Sequence, residues 1–161
     1  MTVETIKDFD IPVKFQTNVS NRFLCEVPFF DSFLVKEVHI PTLLSIQRET
    51  GDEEKWKAAS KDNQPIVIVF HDSQAPSTRQ MVFEAFRVFP QLTPEDKEKF
   101  KEKFVISIKQ LDPVGNVISK SLFHNINFES FQMMQALSYV VPSEPMSITV
   151  SISFETCELE F

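Results

Sequence analysis

The side chains in this sequence that could do chemistry are three histidines, two cysteines and a C-terminal cluster of carboxylates. Their spacing argues against it. His39, His71 and His124 are separated singles, with no HExxH pair and no Cys/His grouping that would complete a metal's coordination shell. His71-Asp72 is the one adjacent pair that could share a metal ion, but such a pair needs a helix and further His or Asp ligands, and here it ends an apolar run of strand length. Cys25 and Cys157 are far apart, give neither a disulfide framework nor zinc spacing, and sit in alternating apolar runs where a thiol packs as a small hydrophobe. Glu155, Glu158 and Glu160 could be read as an acid–base pair, but the solvated face of a strand accounts for them more simply. Only Gly51 and Gly115 are glycine, so there is no phosphate cradle, dinucleotide fingerprint or nucleophile elbow. No catalytic, cofactor-binding or metal-ligating residue is assigned, and the expectation is a protein that is not an enzyme and needs no cofactor.

The bulk composition points to structure. The 161 residues suffice for one domain, and 42% apolar content suffices for a core. Seventeen residues are Phe against one Tyr and one Trp, more phenyl rings than a small core readily holds, so some are expected at a subunit interface. The net charge of −7, from 23 acidic and 16 basic residues, argues against a surface that grips a phosphate backbone. No run is apolar enough for a signal peptide or a membrane span, so folding in a cytoplasm with no membrane contact is expected.

The elements that must carry these residues are organised around the C-terminal run Met146–Phe161. Met146, Ile148, Val150, Ile152 and Phe154 alternate with Ser147, Thr149, Ser151, Ser153 and Glu155, which gives one apolar and one small polar face. The phase then slips: Cys157, Leu159 and Phe161 carry the apolar face from the opposite parity. An extra residue near Glu155–Thr156 is the expected cure, since a one-residue slip would otherwise turn every later side chain around. Sixteen residues would span roughly 50 Å as one strand, longer than single strands usually run. The expectation is a bent strand shared between two sheets or around a barrel corner.

Upstream, residues 1–20 show only a weak alternation over Ile11–Phe15 and read as an arm ordered by contact, with Phe9 and Phe15 as its contact residues. Arg22–Phe30 reads as a strand, and Asp31-Ser32 as a turn into a hairpin partner over Phe33–Ile40. Leu43–Arg48 is a possible third strand. Residues 49–64 are polar and read as a long interaction loop anchored by Trp56. Pro65–His71 is an apolar strand covered on both faces, and the period then changes to helical over Pro76–Phe89 through Val82, Phe86 and Phe89. Thr93-Pro94-Glu95-Asp96 starts a short charged helix. Lys103–Leu111 and Val117–Phe123 form a hairpin around DPVGN, residues 124–135 are ambiguous, and Gln135–Val141 looks like a strand. With no internal repeat or linker, the fold expected is mainly β (α+β): an antiparallel sandwich or barrel of about seven to eight strands, one packed amphipathic helix and a second short charged helix.

That order of elements resembles the tail tube proteins of contractile-tailed phages, whose fold is shared with the type VI secretion tube protein. The matching pieces are Asn21–Val27, Phe33–Pro41, the Trp56-bearing segment, Ile66–Asp72, the helix Pro76–Phe89, the strand pair of Phe104–Phe123 around Asp112–Asn116, and the long final strand Ile148–Leu159. The likeness covers residues 21–161, taken as one domain behind the arm 1–20. It implies a structural virion protein that closes into rings of six, stacking into a tube through which DNA passes without specific binding. It also implies tail sheath and baseplate proteins as partners and assembly in the host cytoplasm. Ring closure would cover strand edges that otherwise invite aggregation. Inter-subunit contacts then fall to Phe9, Phe15 and Trp56, with Ser147, Thr149, Ser151, Ser153 and Glu155 as candidates to line the bore; Lys103, Ser107 and Lys109 offer a second polar face. Phe where relatives often have Trp in the helix, the added charged helix in 90–103 and the scarcity of glycine leave open a tube subunit or a tube-like protein of the baseplate end. The alternative of another class is a small β-barrel whose phenyl rings line a cavity for an apolar ligand.

Overall fold

The C-terminal run bends between two sheets. In the computed structural model, which describes residues 22–48, 55–99, 103–133, 139 and 145–161, it forms β9 (Ser147–Ser153) and β10 (Thr156–Glu160). The other strands are β1 (Phe23–Glu26), β2 (Val35–His39), β3 (Leu43–Arg48), β4 (Lys55–Ser60), β5 (Ile66–His71), β6 (Ile106–Leu111), β7 (Val117–His124) and β8 (Asn127–Met133). All pairings are antiparallel: one sheet has the order β1-β6-β7-β10-β4-β3 and the other β2-β5-β9-β8. Ile148, Val150 and Ile152 of β9 are fully buried, and so is Cys157 of β10, which is of the opposite parity. The interruption at Phe154-Glu155 reconciles them: the Glu155 N–H donates to the His124 carbonyl at 3.0 Å while the chain steps across to the second sheet.

Between β5 and β6 lie α1 (Thr78–Val88), a 3-10 turn over Phe89–Gln91, and α2 (Pro94–Lys99). Ser77 caps α1 by accepting the Gln80 N–H at 3.3 Å. Thr93 caps α2, accepting the Asp96 N–H at 3.1 Å while its hydroxyl donates to the Asp96 carboxylate at 2.9 Å. Val82, Ala85 and Phe89 turn inward, so α1 closes the core between the sheets. That core is largely phenyl. Phe30 stacks on Phe70 with centroids 4.2 Å apart, and Phe128 touches Phe29, Phe30, Phe86 and Phe89 at 5.4–6.4 Å. Fully buried rings such as Phe70 and Phe123 each contribute about 2–3 kcal/mol of transfer free energy.

Several expectations need correction. The expected mainly β, antiparallel two-sheet fold is present, with ten strands among the described residues where about seven to eight were expected. β1 and β2 do not form a hairpin; they lie in different sheets. Phe29 takes a left-handed backbone, φ 75°, behind Pro28, and Phe30 and Leu34 are buried in the passage, so the chain dives through the core between them. The loop expected over residues 49–64 contains β4, which pairs with both β3 and β10. The ambiguous stretch 124–135 contains β8. The strand expected at Gln135–Val141 falls outside the described residues apart from Tyr139, an exposed bend.

Candidate assembly site

The sequence-derived candidates divide by location. Ser147, Thr149, Ser151 and Ser153 share the face of β9 turned away from the core, because Ile148, Val150 and Ile152 occupy the other. Cross-strand register extends that face to Val67, Val69 and His71 on β5, to Asn127, Ser130 and Gln132 on β8, and to Glu37 and His39 on β2. It is a mixed face of hydroxyls, amides and valines, with Ser147 and Val69 buried and the Thr149 hydroxyl covered, and on its β2 side His39 Nε2 stands 3.1 Å from Glu37 Oε2. Glu155 is not part of it. It lies in the crossover between sheets, where its carboxylate accepts from Asn125 Nδ2 at 2.7 Å.

Trp56 is half-buried on β4 and not on a loop; the Arg48 guanidinium of β3 lies 4.7 Å from its ring centroid, a cation–π contact. Phe9 and Phe15 lie outside the described residues. Of the second polar face, Ser107 is buried and Lys109 reaches Glu26 at 3.4 Å. Asp72, the acid beside His71, accepts from Arg79 Nε and Nη2 at 3.2 and 3.0 Å, so an ion pair at the start of α1 accounts for it. Among the described residues no cluster of three or more His, Cys, Asp or Glu is placed to hold a metal. Burial pushes the Cys25 and Cys157 thiols up to about 12, with Glu26 and Glu158 adding to the effect, so neither offers a thiolate near neutral pH.

What sequence reasoning missed is a groove. Phe131 and Met133 sit on the core side of β8, opposite Val150 and Ile148, yet are 51% and 43% exposed, with Phe86 of α1 touching Phe131 and leaving both partly uncovered. Phe83, 60% exposed on α1, forms the facing wall, with Val82 and Phe86 below. The concavity measures about 320 Å³; Arg79 and Arg87 stand at its rim, the latter's guanidinium 5.3 Å from the Phe83 ring centroid. In the sequence Phe83 looks like one more member of a helical apolar stripe, so only the packing distinguishes a wall from a core position.

The groove borders an open margin, and the margins are not alike. β1 has four residues; β2 and β3 are interrupted by register shifts, with Ser45 of β3 at φ 58°. β8 has seven residues, and past one shift it runs regularly from Ser130 to Met133 beside the groove. Among the described residues each of these four strands pairs on one side only. Leu44 and Ile46 on the β3 margin are also exposed.

Among solved structures, the fold matches a chain in the cryo-EM structure of the anti-feeding prophage (AFP) baseplate, 6-fold symmetrised. The match has a TM-score of 0.54 and 15% identity, and covers 91% of this chain and 97% of that one. At that identity it establishes a shared fold. No protein-family model matches the sequence, and no curated protein matches it. Among the described residues no helix is long and apolar enough to cross a membrane.

Proposed function

We propose that this chain is a structural, ring-forming subunit of a contractile, phage-tail-like injection particle, seated as a tube-like ring at the baseplate end. The supporting observation is the fold likeness over nearly the whole of both chains to a subunit of a six-fold baseplate assembly. The open sheet margins fit that role, because strands paired on one side only are completed by neighbours when identical copies close into a ring. Six copies are inferred, with the hydroxyl-rich face of β9 toward the bore and sheath and baseplate proteins as the outer partners. Ser151 and Ser153, with Asn127, Ser130 and Gln132 beside them, offer passing macromolecules little charge to adhere to. No catalytic step belongs to this role. An apolar-ligand barrel is less well supported, since phenyl rings in mutual contact fill the interior and the apolar concavity lies at the surface.

Negative-stain microscopy and light scattering of the purified protein test the proposal. Ring-shaped oligomers with six-fold views are expected. A strictly monomeric species at high concentration and across several salts would overturn it. Discrete rings, in contrast to long stacked tubes, separate the baseplate-end role from that of the main tube.

A further inference from the structure

We infer that residues Phe9–Phe15 of one copy add as an edge strand to β8 of a neighbouring copy, seating Ile11, Val13 and Phe15 in the groove beneath α1; this rests on the ring assembly proposed above. The groove and the margin beside it call for an extended segment whose apolar side chains all point to one face. They also call for backbone groups that can complete the ladder of β8. Phe9-Asp10-Ile11-Pro12-Val13-Lys14-Phe15 has those properties. Its four apolar residues share one parity, while Asp10, Pro12 and Lys14 share the other. In a strand, residues of one parity also direct their backbone groups to the same lateral side. When Ile11 and Val13 bond to β8, the N–H that Pro12 lacks therefore falls on the outer side, where it costs no ladder bond. The segment has seven residues, as does β8.

The path of the chain decides for a neighbour's groove over the copy's own. The carbonyl of Arg22 accepts the Leu111 N–H at 2.9 Å, and Phe23 lines a concavity with Lys36–Ile40, so the chain enters beside β2. β2 is the margin of the four-stranded sheet opposite β8. The seven Cα–Cα steps from Phe15 to Arg22 reach at most about 25 Å. A strand laid outside the copy's own β8 would lie four strand spacings from β2, about 19 Å, leaving only about 6 Å for the passage from β1 and the turn into the strand direction. In a ring that sets the β2 margin of one copy toward the β8 margin of the next, the segment meets a groove with no sheet to cross.

Disulfide trapping on the full-length chain tests this. Val13→Cys chains are mixed with Met133→Cys chains, oxidised and run on a non-reducing gel; Val114→Cys, at a turn residue 82% exposed, replaces Met133→Cys as the collision control. A linked heterodimer that forms at least tenfold more with Met133→Cys than with the control is expected. Equal yields overturn the inference, as does a link that forms only within a single doubly substituted chain. Separately, Phe131→Glu, with its fold checked by circular dichroism, is expected to raise the half-assembly concentration at least tenfold; an unchanged value counts against the groove as acceptor. Rings in the microscope without the link refute the strand addition and leave the assembly standing, whereas absence of rings refutes both.

Discussion

At the level of single side chains, Thr78 shows how this sequence fixes its helix to its sheet. Its hydroxyl is fully buried, donates to the His71 carbonyl at 2.6 Å and accepts the Ser73 N–H at 2.9 Å, so the end of β5 and the start of α1 are held by one oxygen. Thr78→Val keeps the shape and strands both backbone groups. A loss of about 2–6 kcal/mol is expected in chemical denaturation, at roughly 1–3 kcal/mol for each of the two unsatisfied groups. Thr78→Ser keeps both bonds and loses one methyl, so about 1 kcal/mol is expected. Equal losses for the two variants would show that packing, not hydrogen bonding, sets the role. Nothing in the sequence marks Thr78 out from the other hydroxyl residues near the helix start. Its importance comes from a return of the chain onto the end of β5, which no local pattern records.

Among the elements, the crossover from β9 to β10 carries the clearest consequence. Deleting Glu155 removes the residue that absorbs the phase slip, turning Cys157 and Leu159 outward and Glu158 inward. Loss of the cooperative thermal transition is expected by circular dichroism, whereas Glu155→Ala, which keeps the residue count, is expected to cost about 0.5 kcal/mol or less as a surface change. A cooperative melt in the deletion variant would contradict the register described. This element was legible in the sequence because strict alternation broke at a single place. The β6–β7 hairpin was legible too: Asp112 accepts from Val114 and Asn116 at 3.0 and 2.8 Å, and Gly115 supplies φ 91°. β4 was hidden because Lys55, Lys57, Ala58 and Ala59 give no hydrophobic alternation, although Ala58 is buried. β8 was hidden because its register shift between Phe128 and Ser130 breaks the alternation midway. The supposed β1–β2 hairpin failed for a third reason: Phe29 and Phe30 look like strand residues but serve as core rings in a passage between sheets.

For the whole molecule, the excess of phenylalanine divides in two. Most of the described rings fill the space between the sheets, while Phe33, Phe83, Phe131 and Phe161 are exposed. That division matches the expectation that some rings lie beyond the core, and two of the exposed rings, Phe83 and Phe131, line the groove. Phe86 belongs to both populations. Its ring lies 5.0 Å from Phe131 at the surface and 5.7 Å from Phe128 in the interior. A guest pressing on Phe131 therefore restrains a side chain on which the interior also leans, so docking and folding draw on one shared joint. The heat resistance of this chain is accordingly expected to depend on its concentration: calorimetric Tm should climb as concentration rises, as it does whenever only the native form associates, and Phe86→Ala should flatten that climb.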